Sequence, residues 1–212
     1  MAGHLLFFFT LFFSRFVLAH PVIYKDGIVV SSANMHSFSD NQLMYSWSNR
    51  WASGINYFRF SKNDQHTELI LAKTNYLLHR SNKENFQSNI YLHGGAGLAD
   101  SEIEKRATKY AYMTGIDMDW ETRNLYTSFK YYYFNSPDVS SISMIQGRIG
   151  LSPYEAGFDQ IQTWFMIQGM YLPVTSREVM ITPLVRFFYK NVLWEWGAST
   201  RGDWLLNFMF HF

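Results

Sequence analysis

The chain has 212 residues and a formal net charge of +1 with acids and bases mixed along it, which predicts one domain and excludes the concentrated charge that nucleic acid would need. Cysteine is absent, so disulfides, thiolate metal centres and cysteine nucleophiles are excluded. Aromatic residues make up 19% of the chain while mean hydropathy stays at −0.15, a pairing that points to alternation of faces and away from a continuous oily core.

The amino terminus reads as an export signal. Leu5 to Phe13 form an almost unbroken apolar run, and Val17-Leu18-Ala19 offers a cleavage site after Ala19, leaving His20 first in the mature chain. No Lys or Arg precedes the run, and Arg15 follows it. The run is far shorter than the roughly 20 residues of a membrane-spanning helix. The predicted division is therefore a signal peptide over 1–19 and one domain over 20–212.

From Gly27 onward, segments with period-two alternation are separated by short polar or Gly/Pro/Asn/Asp clusters, which predicts hairpins in sequence order. The expected strands cover 27–36, 40–48, 51–62, 66–79, 85–98, 107–121, 124–134, 140–151, 158–172, 178–190, 191–199 and 203–212. In the sixth, Met113, Gly115, Asp117, Asp119 and Glu121 share the face opposite Tyr110, Tyr112, Ile116, Met118 and Trp120, and those three acids are expected to avoid lipid. Gly94-Gly95-Ala96-Gly97 lacks the lysine and helix start of a phosphate loop and reads as strand that packs closely. The ninth strand sets Gln160, Gln162, Trp164, Met166 and Gln168 inward, predicting an amide-rich wall. Pro183 interrupts the tenth pattern, where a bulge is expected. Ser48-Asn49-Arg50, Glu121 to Asn124 and Lys190-Asn191 are expected as tight turns on the inner side, and Ala99 to Arg106 as the longest outer loop.

The last strand places Trp204, Leu206, Phe208, Phe210 and Phe212 on one face and Leu205, Asn207, Met209 and His211 on the other. This terminal WLLNFMFHF is similar to the C-terminal strand of bacterial outer-membrane β-barrel proteins. The resemblance implies an all-β fold, a closed antiparallel up-and-down transmembrane barrel of about 12 strands, in a Gram-negative outer membrane after export through the periplasm. It also implies outer-membrane lipid and the barrel-assembly machinery as partners, with Trp204, Leu206, Phe208, Phe210 and Phe212 as the assembly signal.

The residues expected to line the lumen are Lys73, His93, Asp117, Asp119, Lys130, Arg148, Arg186 and Glu195. Hairpin register puts Arg186 opposite Glu195, and Asp117, Lys130 and Arg148 are expected at comparable heights as a ladder. Such a ladder either neutralises itself or selects solutes by charge, so the first expectation is a porin-like channel or transport protein for small solutes or ions. The alternatives are a lipid-modifying enzyme with His93 as base, a structural or partner-binding barrel filled by residues such as Phe134, Trp164 and Phe188, and copper handling. For the last, His20, Met35-His36, Met166, Met209 and His211 supply soft ligands. No catalytic set, sharp metal motif or cofactor is expected, and Ser88 and His93 share a strand without sharing a face.

Overall fold

The computed structural model describes residues 22, 24–62, 65–102, 106–137, 140–157 and 159–212. The expected signal peptide, its cleavage site and His20 lie outside the described residues. Twelve strands follow in chain order: β1 (Ile28–Met35), β2 (Phe38–Ser46), β3 (Trp51–Lys62), β4 (Gln65–Asn82), β5 (Gln87–Ser101), β6 (Arg106–Glu121), β7 (Leu125–Ser136), β8 (Ser140–Leu151), β9 (Gln162–Leu172), β10 (Ser176–Tyr189), β11 (Val192–Ala198) and β12 (Trp204–His211). Each pairs antiparallel with its sequence neighbour, and β1 pairs with β12, so the sheet closes into an up-and-down barrel of twelve strands. Closure pairs every strand on both sides over at least part of its length, the arrangement by which strands satisfy their backbone groups in a lipid environment.

Period-two alternation sorts the side chains. Leu43, Ile55, Ile70, Tyr110, Ile167 and Trp196 are exposed on the outer surface. Their strand neighbours Met44, Asn56, Leu71, Ala111, Gln168 and Glu195 are buried inside. Polar groups that do face outward satisfy one another: Asn34 Nδ2 donates to Ser32 Oγ at 2.6 Å, and the Tyr57 hydroxyl donates to Glu68 Oε1 at 2.6 Å.

The rim where β1 starts and β12 ends, the near rim, carries turns held by hydroxyls. Ser48 Oγ accepts from the backbone N–H of Arg50 and Trp51, and Thr122 Oγ1 accepts from those of Asn124 and Leu125. Lys190 takes the left-handed conformation (φ 54°) that a two-residue hairpin turn requires. The longest connection, over 152–161, is also here; on the far rim, the segment expected as the longest outer loop, Ala99 to Arg106, is largely strand, since β5 continues to Ser101 and pairs with the start of β6, and the connection over 199–203 is longer. Alternation continues through Ala99 and Ser101, both buried, so the segment read as a loop extends the wall.

The far rim is uneven. β11, β12, β1 and β2 have only 7, 8, 8 and 9 residues, against 11 to 18 in the other strands. The β10–β11 ladder stops at Leu184–Gly197, so the part of β10 from Ser176 to Pro183 rises beyond its neighbour and leaves a notch over the seam. Pro183 is therefore the first residue past that ladder, an edge position where its missing N–H removes no rung. The expected bulge is absent there: Pro183 pairs regularly with Ile167, and the irregularity in β10 falls between Ser176 and Met180.

In its far half the interior is filled on the side of β3 and β7. Phe58 of β3 meets Phe134 of β7 across the lumen, with ring centroids 4.7 Å apart and edge to face, and Phe60 meets Phe134 at 5.2 Å. Phe58 and Phe60 are fully buried and Phe134 is 1% exposed, so no water column runs beside them. Near the other rim a second apolar cluster joins Val22, Val29, Met44, Ala52, Leu77 and Tyr91. Arg80 donates to the Val22 carbonyl at 3.4 Å, tying that part of the chain to the inner wall.

Candidate functional site: the barrel interior

Between the two apolar layers lies a cavity of about 150 Å³, walled by polar side chains from most of the strands. All eight lumen candidates border it: Lys73, His93, Asp117, Asp119, Lys130, Arg148, Arg186 and Glu195. Asp40, which alternation on β2 also turns inward, completes a wall with four carboxylates and four cations.

Glu195 organises one side. It is 1% exposed and accepts from Arg186 Nε at 2.6 Å, from Arg148 Nη1 at 3.1 Å to both oxygens, and from Asn207 Nδ2 at 2.5 Å. A buried carboxylate demands that its lone pairs be filled, and three donors on β8, β10 and β12 do so. The Arg186 guanidinium also lies over the Tyr126 ring, 4.5 Å from its centroid.

The opposite side is looser. Lys130 Nζ lies 3.5 Å from Asp117 Oδ2, on directly paired residues of β6 and β7. Arg148 does not extend this pair into a ladder. Gln146 faces Lys130, and Arg148 faces Ser128, two residues nearer the near rim. Closure of the barrel brings Glu195 within reach, and Arg148 spends its charge there instead. Asp119 accepts from Asn89 Nδ2 at 2.6 Å, and Lys73 donates to Gln42 at 3.1 Å.

Gly115 fixes the centre of this wall. A Cβ there would come within 2.3 Å of the Tyr132 ring, so the missing side chain lets the tyrosine fold across β6. That places the ring 5.3 Å from the His93 ring and 5.2 Å from Lys73 Nζ. His93 Nδ1 donates to Asn75 Oδ1 at 2.7 Å. Its hydrogen-bonded neighbour is thus an amide, and Ser88 lies on the outer face opposite Trp120.

A second cavity of about 630 Å³ opens at the far rim, in the notch over the seam. Ser61, Lys62 and His66 border it on one side, and Ser176, Glu178 and Arg201 on the other. Arg201 bridges its margin, donating to Ser176 Oγ and Glu178 Oε2 at 2.5 Å each. Met35 and Met170 line both cavities, so two thioether side chains form part of the partition between them. Gln168 Nε2 reaches Met35 Sδ at 3.8 Å across the barrel, from β9 to β1.

Methionine is the component that alternation alone did not single out. Of the nine methionines among the described residues, eight point inward and Met118 outward. The ninth strand sets Gln162, Trp164, Met166, Gln168 and Met170 on one face, the expected residues with Met170 added, and Gln160 is left in the preceding connection. The soft ligands expected to gather do not form one centre: Met35 and His36 border the far cavity, Met166 is in the apolar layer, and Met209 and His211 lie at the end of β12. Among the described residues no group of three or more His, Asp or Glu is arranged to hold a metal ion.

No protein-family model matches the chain, and no curated protein matches it. Solved structures do. It is similar to a KdgM porin in complex with disordered oligogalacturonate, at 11% identity and a TM-score of 0.48, over 88% of this chain and 99% of that one. It is also similar to a loop-deletion mutant of OmpT, an outer membrane protein of Vibrio cholerae, at 7% identity and a TM-score of 0.30, over 88% and 97% of the two chains. The CymD monoaromatic hydrocarbon channel matches at 6% identity and a TM-score of 0.30, over 89% of this chain and 88% of that one.

Proposed function

We propose that this chain is an outer-membrane channel for small solutes that rests closed, with its near rim toward the periplasm and its export directed by residues 1–19. The observation that carries the reading is the pair of cavities in one barrel with Met35 and Met170 on the walls of both. The far cavity has the volume of a small-molecule site, whereas the inner one holds only a handful of waters. Methionine is unbranched and changes rotamer readily, so a partition made partly of thioethers can open without strand movement. The balanced carboxylates and cations beyond it suit polar solutes and carry no strong preference of sign.

The test is single-channel recording of the folded protein in a planar bilayer. Wild type is expected to open rarely, and Met35→Ala/Met170→Ala to raise open probability by at least tenfold. A folded barrel that stays silent in both forms would sink the channel reading. The second reading is then a filled, structural barrel, which the Phe58–Phe134 contact across the lumen favours.

A further inference from the structure

In a chain without cysteine, the soft donors are thioethers and imidazoles. Most inward methionines pack among Phe58, Phe60 and Phe134, where filling irregular gaps accounts for them. Met209 is different. Its Sδ lies 3.2 Å from Nε2 of His211, two residues on along the same face of β12. His211 is 2% exposed, and its Nδ1 has no hydrogen-bond partner. Buried polar atoms are rarely left this way: one imidazole nitrogen faces a sulfur, a weak acceptor, and the other faces nothing polar.

A third soft donor, Met44, stands at the same height two strands away. Val29 pairs with His211 on one side and with Met44 on the other, and Met209 packs against the cluster that contains Met44. The apolar surroundings include Val22, Val29 and Leu77, with Arg80 at their margin, donating to the Val22 carbonyl and the Tyr91 hydroxyl. Neutral nitrogen and thioether ligands in an apolar setting select soft metals of low charge over hard divalent ions.

We infer that His211 and Met209, joined by Met44, form a binding site for a soft monovalent cation, Cu(I) or Ag(I). Met209 borders the inner cavity, so the site is entered from it. The inference concerns equilibrium binding and does not depend on conduction; a barrel that is silent in a bilayer can still satisfy it.

The probe is silver nitrate in chloride-free buffer, titrated into the folded barrel in detergent with the methionine methyl groups labelled with carbon-13. One equivalent is expected to shift the Met209 and Met44 resonances and to leave Met35, Met170 and Met180 in place. Met209→Leu, close to methionine in volume, is expected to weaken binding at least tenfold, as is His211→Phe, while Met118→Leu on the outer face changes nothing. Retained heat-modifiable mobility on gels shows that each variant is folded. Absence of saturable uptake, shifts confined to the far-rim methionines, or wild-type affinity in folded Met209→Leu would each overturn the site.

Discussion

At the scale of single residues, Glu195 is the most committed group in the interior. Two guanidiniums and an amide converge on it. Removing its charge leaves Arg148 and Arg186 facing each other in a buried place, which costs about 3–5 kcal/mol when a buried pair is broken from one side. Glu195→Gln is therefore expected to lower the urea midpoint of the folded barrel with its m-value unchanged, read from the gel-mobility shift. Lys130→Met, next to a looser 3.5 Å contact, is expected to cost less in the same assay. Which residues face inward was legible from the sequence, because a period of two leaves little choice once a strand is found. Partners across the lumen were not. Arg186 and Glu195 are neighbours by hairpin register, but Arg148 reaches Glu195 only because β8 and β11 curve toward each other on closure.

At the scale of elements, the strands read from the sequence agree with the twelve observed, and the errors are concentrated at their ends. β4 and β5 run past their expected ends: β4 resumes pairing beyond a register shift between Leu77 and His79 and continues to Asn82, and in β5 Ala99 and Ser101 keep the alternation beyond the expected end. Proline misled for a related reason: it marks an edge, and an edge exists within β10 because β11 is short. That edge is held at its top by Arg201, whose contacts with Ser176 and Glu178 are solvent-exposed and worth at most about 1 kcal/mol. Arg201→Ala is thus expected to leave overall stability nearly unchanged. It should speed amide hydrogen exchange in Arg177 to Ile181 while leaving Val185 to Phe188, which are paired on both sides, as protected as before. Equal protection of the two halves in the variant would show that the upper part of β10 is secured without Arg201, by its ladder to β9 and the Thr200 N–H bond to the Ile181 carbonyl.

At the scale of the whole molecule, alternation gives the direction of each side chain but not the polarity of the space it enters. β3 shows why: Ile55 and the ring of Tyr57 on its outer face are as bulky as Phe58 and Phe60 on its inner face, so the apolar part of the lumen had no signature distinct from an outward apolar stripe. The charged layer was visible because acids and bases stand out in any strand, yet its balance emerges only when Asp40 on β2 is brought round to Lys73 and Lys130. Balance has a measurable consequence. With four carboxylates against four cations, an open state should conduct both signs with little preference. Asp117→Asn/Asp119→Asn changes the wall by two charges with little change of volume, leaving Lys73, Lys130, Arg148 and Arg186 against Asp40 and Glu195. In the Met35→Ala/Met170→Ala background, which supplies the open state, reversal potentials in a salt gradient are expected to move toward anion preference. Because the Debye length is about 30 Å at 0.01 M and about 3 Å at 1 M, a wall charge acts across the lumen in the dilute salt and only on its immediate neighbours in the concentrated one. The preference should therefore be strong near 0.01 M and nearly vanish at 1 M. A shift of the same size at both concentrations would place the selecting groups in direct contact with the ion, and no shift at either would route the ions past some other part of the wall.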